Sequence, residues 1–287
     1  MEWYVFALIC ALLSGLSTVV KKKVLIDEHT IDFSVTFTVL MFIISLPLLF
    51  LIDIHFTARF LLLTYIASLF GTVAFFFISK AMRHAPISIV SPLTNINPIL
   101  LMVASFFILG ERITFVQVFG IVIFVFGMYM LESRKHDKFL APIKRIKKER
   151  ALTFILISGI FYAVSSMLDK VILTFTQPLK YLIVVQFFVA LNFIILTIYK
   201  YKNPIHMIKK DISGPLLLAS ILTLAQRLAQ FQAVSLTYVS LVIPIKRSGA
   251  LVSTLIGGEL FHEKDLARKL IATIIIIFAA YLIIAGG

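Results

Sequence analysis

The sequence predicts an all-α integral membrane protein of ten transmembrane helices, arranged as two inverted five-helix repeats. Three observations carry that expectation. Of 287 residues, 60% are hydrophobic and 14% charged, with a mean hydropathy of +1.03. A soluble fold of this length still needs a large polar shell and could not hide so much apolar surface. Apolar runs of about 20 residues recur along the chain, each long enough to cross a hydrocarbon core of about 30 Å. Shifted by 152 residues, the chain aligns with itself.

The spans follow one another with breaks at charge clusters, Pro and Gly. The first, 3–20, runs unbroken until Lys21-Lys22-Lys23, and the second, 32–52, stops at Asp53. The third, 59–79, is closed by Lys80, and the fourth, 86–109, by Gly110-Glu111-Arg112. The fifth, 115–132, meets the basic linker 133–150, the only extended polar stretch. After it come 151–172, 180–199, 212–232, 239–260 and 267–285. Helices are the default, because lipid offers an open backbone no hydrogen-bond partner and 20-residue segments are too long for barrel strands.

The 152-residue shift lays Ser88, Pro92, Glu111, Phe126 and Tyr129 on Ser240, Pro244, Glu263, Phe278 and Tyr281. The repeats are therefore drawn as 1–132 and 151–287, joined by the linker. Five spans per repeat is an odd number, so the second half enters the membrane inverted, the architecture of alternating-access transporters with a site near the midplane. Twenty of the 27 Lys and Arg residues fall in the loops after odd-numbered spans, eight of them in the linker. The opposite face holds only Arg59, Arg112, Lys170 and Lys180. Positive charge marks the cytoplasmic side, which puts both termini outside the cytoplasm of a multi-pass cell-membrane protein.

Several function classes are excluded. The single cysteine, Cys10, allows no intramolecular disulfide and no cysteine metal cluster. The net charge of +13 sits mainly between apolar runs, so it signals topology and attraction to anionic lipid rather than nucleic acid. No cleavable signal peptide is expected, since Met1 to Val20 lacks a basic leading region. His262-Glu263-Lys264-Asp265 is not a zinc-protease motif, and no phosphate loop or Asp-rich site appears. No enzyme, cofactor or metal is expected.

The segment Ala81 to Leu131, with Ser91-Pro92 and Leu109-Gly110-Glu111-Arg112, resembles the repeat of EamA-type transporters of the drug/metabolite transporter superfamily. Ile243-Pro244, Gly258-Glu259 and Glu263-Lys264 carry the second copy. The resemblance implies ten helices, two pseudosymmetric halves and export or exchange of a small metabolite. Ten-helix members of that family are usually placed with both termini in the cytoplasm, opposite to the charge count here.

Intramembrane charge is the informative signal, because a charge at a helix centre costs several kcal/mol and marks a site by default. Arg227 lies well inside span 8 beside Gln226, Gln230 and Gln232, and Lys246-Arg247 follow Pro244 in span 9. Asp169 and Glu259 are the scarce acidic partners available to Arg227, and a snorkelling Lys246 is the structural alternative. The sharper expectation is a cationic cavity for an anion, since a Lys-Arg dyad offers a point charge plus a planar fork. The dyad also resembles the phosphate-binding pair of plastid phosphate translocators.

Thr94, Asn95 and Asn97 occupy span 4 where Lys246, Arg247 and Gly249 occupy span 9. With Pro92, Pro98 and Pro244 freeing backbone carbonyls, these two helices are the expected hinge and cavity wall. Ser17 in span 1 and Ser165 in span 6 complete the expected ligand contacts, with close helix packing as their other role.

The expected function is secondary transport of a small organic anion by alternating access. The alternatives are a proton-coupled exporter of amino acids or hydrophobic drugs, and a lipid-modifying membrane enzyme. Likeness to small multidrug-resistance relatives would imply a membrane-embedded carboxylate in span 1 for the former, and this span has Ser14, Ser17 and Thr18 instead. The expected partners are a small-molecule substrate and membrane lipid, with room for a homodimer.

Overall fold

The structure, a computed structural model, describes residues 2–25, 30–84, 94–95, 97–132, 150–200, 213–253 and 266–286. Its helices are α1 (Trp3–Leu25), α2 (Thr30–Ser45), α3 (Ala58–His84), α4 (Asn97–Leu109) and α5 (Phe115–Glu132). They are followed by α6 (Arg150–Leu173), α7 (Pro178–Lys200), α8 (Gly214–Leu236), α9 (Val239–Arg247) and α10 (Leu266–Ala285). Each falls within or across one predicted span. Windows in α1, in α2 with the 3-10 turn that follows it, and in α3, α6 and α7 are long and apolar enough to cross a membrane. Shorter apolar helices lie in α4, α5 and α10.

Local chemistry sets the ends. Pro47 starts the 3-10 turn Leu46–Leu51 that closes α2. The Ser213 hydroxyl accepts from the Leu216 amide and Pro215 sits in the first turn, a strong start for α8. α4 stops at Gly110, whose φ of +67° is a left-handed conformation that only glycine takes without strain. That turn carries Glu111 into the protein, 3% exposed, where its carboxylate accepts from the Val239 amide at 2.8 Å and the Ser240 amide at 3.2 Å. The Ser240 hydroxyl donates to it as well. The Leu109-Gly110-Glu111 run thus places an anion on the amino end of α9, where helix dipole and open N–H groups favour it.

Spans 4 and 9 are less regular than predicted. A turn at Asn95 precedes α4, and Pro98 sits in the first turn, where its missing N–H costs nothing. Pro244 lies inside α9, which gives way to a turn at Ser248 before helical residues 249–253. Pro92, Glu259 and linker residues 133–149 lie outside the described residues.

The most extensive helix pairings are α3 with α6, α1 with α8, α5 with α10 and α2 with α7. Next come α3 with α7, α2 with α8, α4 with α6, and α1 with α9. Exchanging every helix for the one five places on leaves this set of pairs unchanged. Small residues make the closest crossings possible. A Cβ on Gly249 would fall on the Ala11 carbonyl, and one on Gly159 would lie 2.6 Å from the Asn97 amide oxygen. Ser158 donates to the Ala74 carbonyl at 2.8 Å and Ser165 to that of Ala67 at 3.1 Å, tying α6 to α3. Phe107, Phe115, Ile274 and Tyr281 are exposed on the outside of the bundle, as lipid-facing side chains must be.

Candidate functional site

A cavity of about 450 Å³ opens among α1–α4 and α6–α9. Its wall contains Arg227, Lys246 and Arg247, the three basic residues placed inside spans by the sequence, and adds Lys21 from the last turns of α1. Asp169 is the one carboxylate among the described wall residues.

The polar partners of these charges are mostly neutral. Arg227 Nη1 donates to the Gln186 amide oxygen at 3.4 Å, and the guanidinium lies 5.8 Å from the Phe231 ring centre. Lys246 Nζ donates to Gln230 Oε1 at 2.6 Å and to the Tyr162 hydroxyl at 3.1 Å. Gln230 also accepts from Gln226 Nε2 at 3.3 Å, so the amide pair one turn apart on α8 is aligned to hold the ammonium. Arg247 is half-buried and has no hydrogen-bond or ion-pair partner among the described residues. Lys21 Nζ lies 5.6 Å from the centre of the Phe37 ring.

Asp169 is not the partner of Arg227 that the sequence offered. Its carboxylate is buried and accepts from the Tyr181 hydroxyl instead. Tyr181 packs against Phe231 with the rings tilted and their centres 4.7 Å apart, and Phe231 in turn faces Arg227, so acid and base share an aromatic wall without touching through a salt bridge. Lys246 does not snorkel to the surface: both its hydrogen bonds point into the cavity wall.

Most of the expected ligand residues come together. Lys246, Arg247, Arg227, Gln230, Asn95, Asn97 and Ser165 all line the cavity, Ser165 while also bound to the Ala67 carbonyl. Ser17 does not. It is fully buried, its hydroxyl pairs with Thr223 at 2.5 Å, and it serves the α1–α8 contact. Its helical rotation turns it away from the cavity, toward which Ser14 and Thr18 point. Of the hinge candidates, Pro98 and Pro244 are buried; in the chain Pro98 adjoins the wall residue Asn97 and Pro244 stands two residues before the wall residue Lys246.

Three contributors escaped the sequence. Lys21 was counted as a loop lysine, but α1 runs on to Leu25. Tyr162 gave no signal. Gln186, one of two amides with Asn192 inside the apolar seventh span, was a signal of the same kind as Gln230.

Comparison with known proteins agrees with this architecture. Residues 1–133 match the EamA-like transporter family, as the resemblance implied. The protein is a multi-pass membrane protein, and that family is one of transporters. A protein of known crystal structure superposes with a TM-score of 0.73 over 98% of both chains at 16% identity, which is a likeness of fold. No curated protein matches the chain.

Proposed function

We propose that the protein is a secondary transporter that exports or exchanges a small organic anion by alternating access through this cavity. The observation that carries the proposal is the charge imbalance of the described wall residues: Lys21, Arg227, Lys246 and Arg247 stand against Asp169 among them. A cation inside a membrane bundle costs at least ~2.5 kcal/mol unless compensated. Neutral amides hold Arg227 and Lys246, and Tyr181 already occupies Asp169. A bound anion supplies the missing compensation, and the Lys246-Arg247 dyad presents it with a point charge and a fork.

The two-half mechanism draws support from the 152-residue self-alignment and from helix pairings that survive the exchange of each helix for the one five on. Inverted halves of this kind rock about a central site. The turns at Asn95 and Ser248 stand in or beside the cavity wall, one in each half, and would give such a carrier places to bend. We place the protein in the cell membrane with both termini outside the cytoplasm, on the charge distribution of the loops.

Asp169 favours a second reading, a proton-coupled exporter of amino acids or hydrophobic drugs, since coupling of that kind needs a carboxylate in the cavity wall. Among the described wall residues four cations face one acid, which would repel a cationic drug and ranks the anion first.

Flux in proteoliposomes tests the proposal. Labelled organic anions should enter, faster with anion trapped inside. Uptake of a hydrophobic cation without uptake of any organic anion would reverse the ranking. A reporter active only in the cytoplasm should work in the 133–149 linker and fail at the C-terminus; the reverse pattern would overturn the orientation.

A further inference from the structure

Gln186 stands near the middle of α7, fully buried, in the cavity wall. Arginine has donors and no acceptor, so the contact with Arg227 fixes which way the amide points: oxygen toward the guanidinium, Nε2 away from it. That Nε2 is buried and has no hydrogen-bond partner among the described residues. A buried donor left open is costly, and structures keep few of them without a reason. Arg227 gives one N–H to Gln186, and its others have no partner among the described residues. Two adjacent side chains of the cavity wall thus hold unused donors.

The Lys246-Arg247 dyad forms another group of donors. Gln230, which holds Lys246, follows Arg227 by three residues on α8, so the two groups meet the cavity from neighbouring turns of that helix. The two groups carry three cations, Arg227, Lys246 and Arg247, against Asp169 among the described wall residues, an excess of two charges that a dianion matches and a monoanion does not.

We propose that Gln186 and Arg227 form a second anion subsite, distinct from Lys246 and Arg247, so that the cavity takes a short dianion with an acidic group at each end. The inference rests on the anion-transport proposal and narrows its substrate class. In the subsite the Gln186 amide and the Arg227 guanidinium both donate to oxygens of one acidic group. Carboxylate and phosphate share that acceptor chemistry.

Binding to the purified full-length protein tests it with three probes: succinate, phosphoglycolate and butyrate. At least one of the two dianions should bind about tenfold more tightly than butyrate, and which one leads identifies the second acidic group. Gln186→Leu should weaken the preferred dianion about tenfold and leave butyrate unchanged. Gln186→Glu, which turns a carboxylate onto Arg227, should abolish the dianion's advantage and serves if the leucine variant does not fold. Equal weakening of dianion and butyrate in either variant would overturn the inference. So would a wild-type protein that binds butyrate as well as the dianions. In that last case, loss of butyrate binding in Lys246→Gln would leave the anion proposal standing. Binding of none of the three probes would overturn both.

Discussion

Two regions of this protein bury charge, and they treat it differently. At the α8–α9 turn, Lys170 Nζ donates to the Val234 and Thr237 carbonyls at 2.9 and 2.8 Å, while Glu111 accepts from the Val239 and Ser240 amides. A cation closes the carboxyl end of α8 and an anion the amino end of α9, each against the dipole it suits. Both charges end on backbone that would otherwise lack partners. In the cavity, Arg227 and Lys246 end on neutral side chains and Arg247 has no partner among the described residues. The first arrangement holds a turn in place. The second leaves binding capacity unused, which is what a site needs and a scaffold does not.

Breaking the turn should therefore cost stability and spare affinity. Glu111→Ala removes three hydrogen bonds to a charged acceptor and leaves two backbone amides open. The loss should be about 3 kcal/mol, read as a lower melting temperature in detergent, with ligand affinity of the folded fraction unchanged. Gly249→Ala acts between the two regions, because its Cβ would collide with the Ala11 carbonyl at the α1–α9 crossing. About 2 kcal/mol of overpacking should appear in the melt, together with weaker binding, since the helix carrying the dyad must move. Lys170→Met keeps the stem of a half-buried lysine and loses its two carbonyl contacts; about 1 kcal/mol is expected on the same melt. A larger effect of Lys170→Met on binding than on melting would erase the distinction between the two regions.

The fold was legible because lipid leaves the backbone almost no choice: an apolar run of sufficient length between charged breaks becomes a helix. The turns at Asn95 and Ser248 were only half legible. Pro98 and Pro244 marked where bending was permitted, but the span pattern continued through them. The site was legible to the extent that it is charged, since Arg227 and Lys246-Arg247 stand out in apolar spans whatever their neighbours. Lys21 was hidden by its company: the first of three consecutive lysines reads as an interfacial anchor until α1 is seen to continue past it. Ser17 was misplaced because a hydroxyl's role depends on which way its helix is turned, and one helix alone does not fix that. Glu111 announced a repeated motif without revealing its task, which exists only once α9 is packed against it.

The substitution expected to change stability least is Arg247→Lys, and the dyad it belongs to bears most directly on the central claim. Arg247→Lys keeps the charge and breaks no bond among the described residues, so its stability should stay within about 0.5 kcal/mol of the wild type. Its affinity for the transported anion should fall by roughly 1–3 kcal/mol, because the planar fork is gone. Lys246→Gln should lose a similar amount of affinity and also show a weaker dependence on salt. The decisive measurement is the dissociation constant of that anion on folded, concentration-matched wild-type, Arg247→Lys and Lys246→Gln protein. Weaker binding in both variants, with Arg247→Lys melting like the wild type, is the predicted result. Unchanged affinity in both, with any deficit confined to yield or melting temperature, would show that these cations are structural and contradict the account.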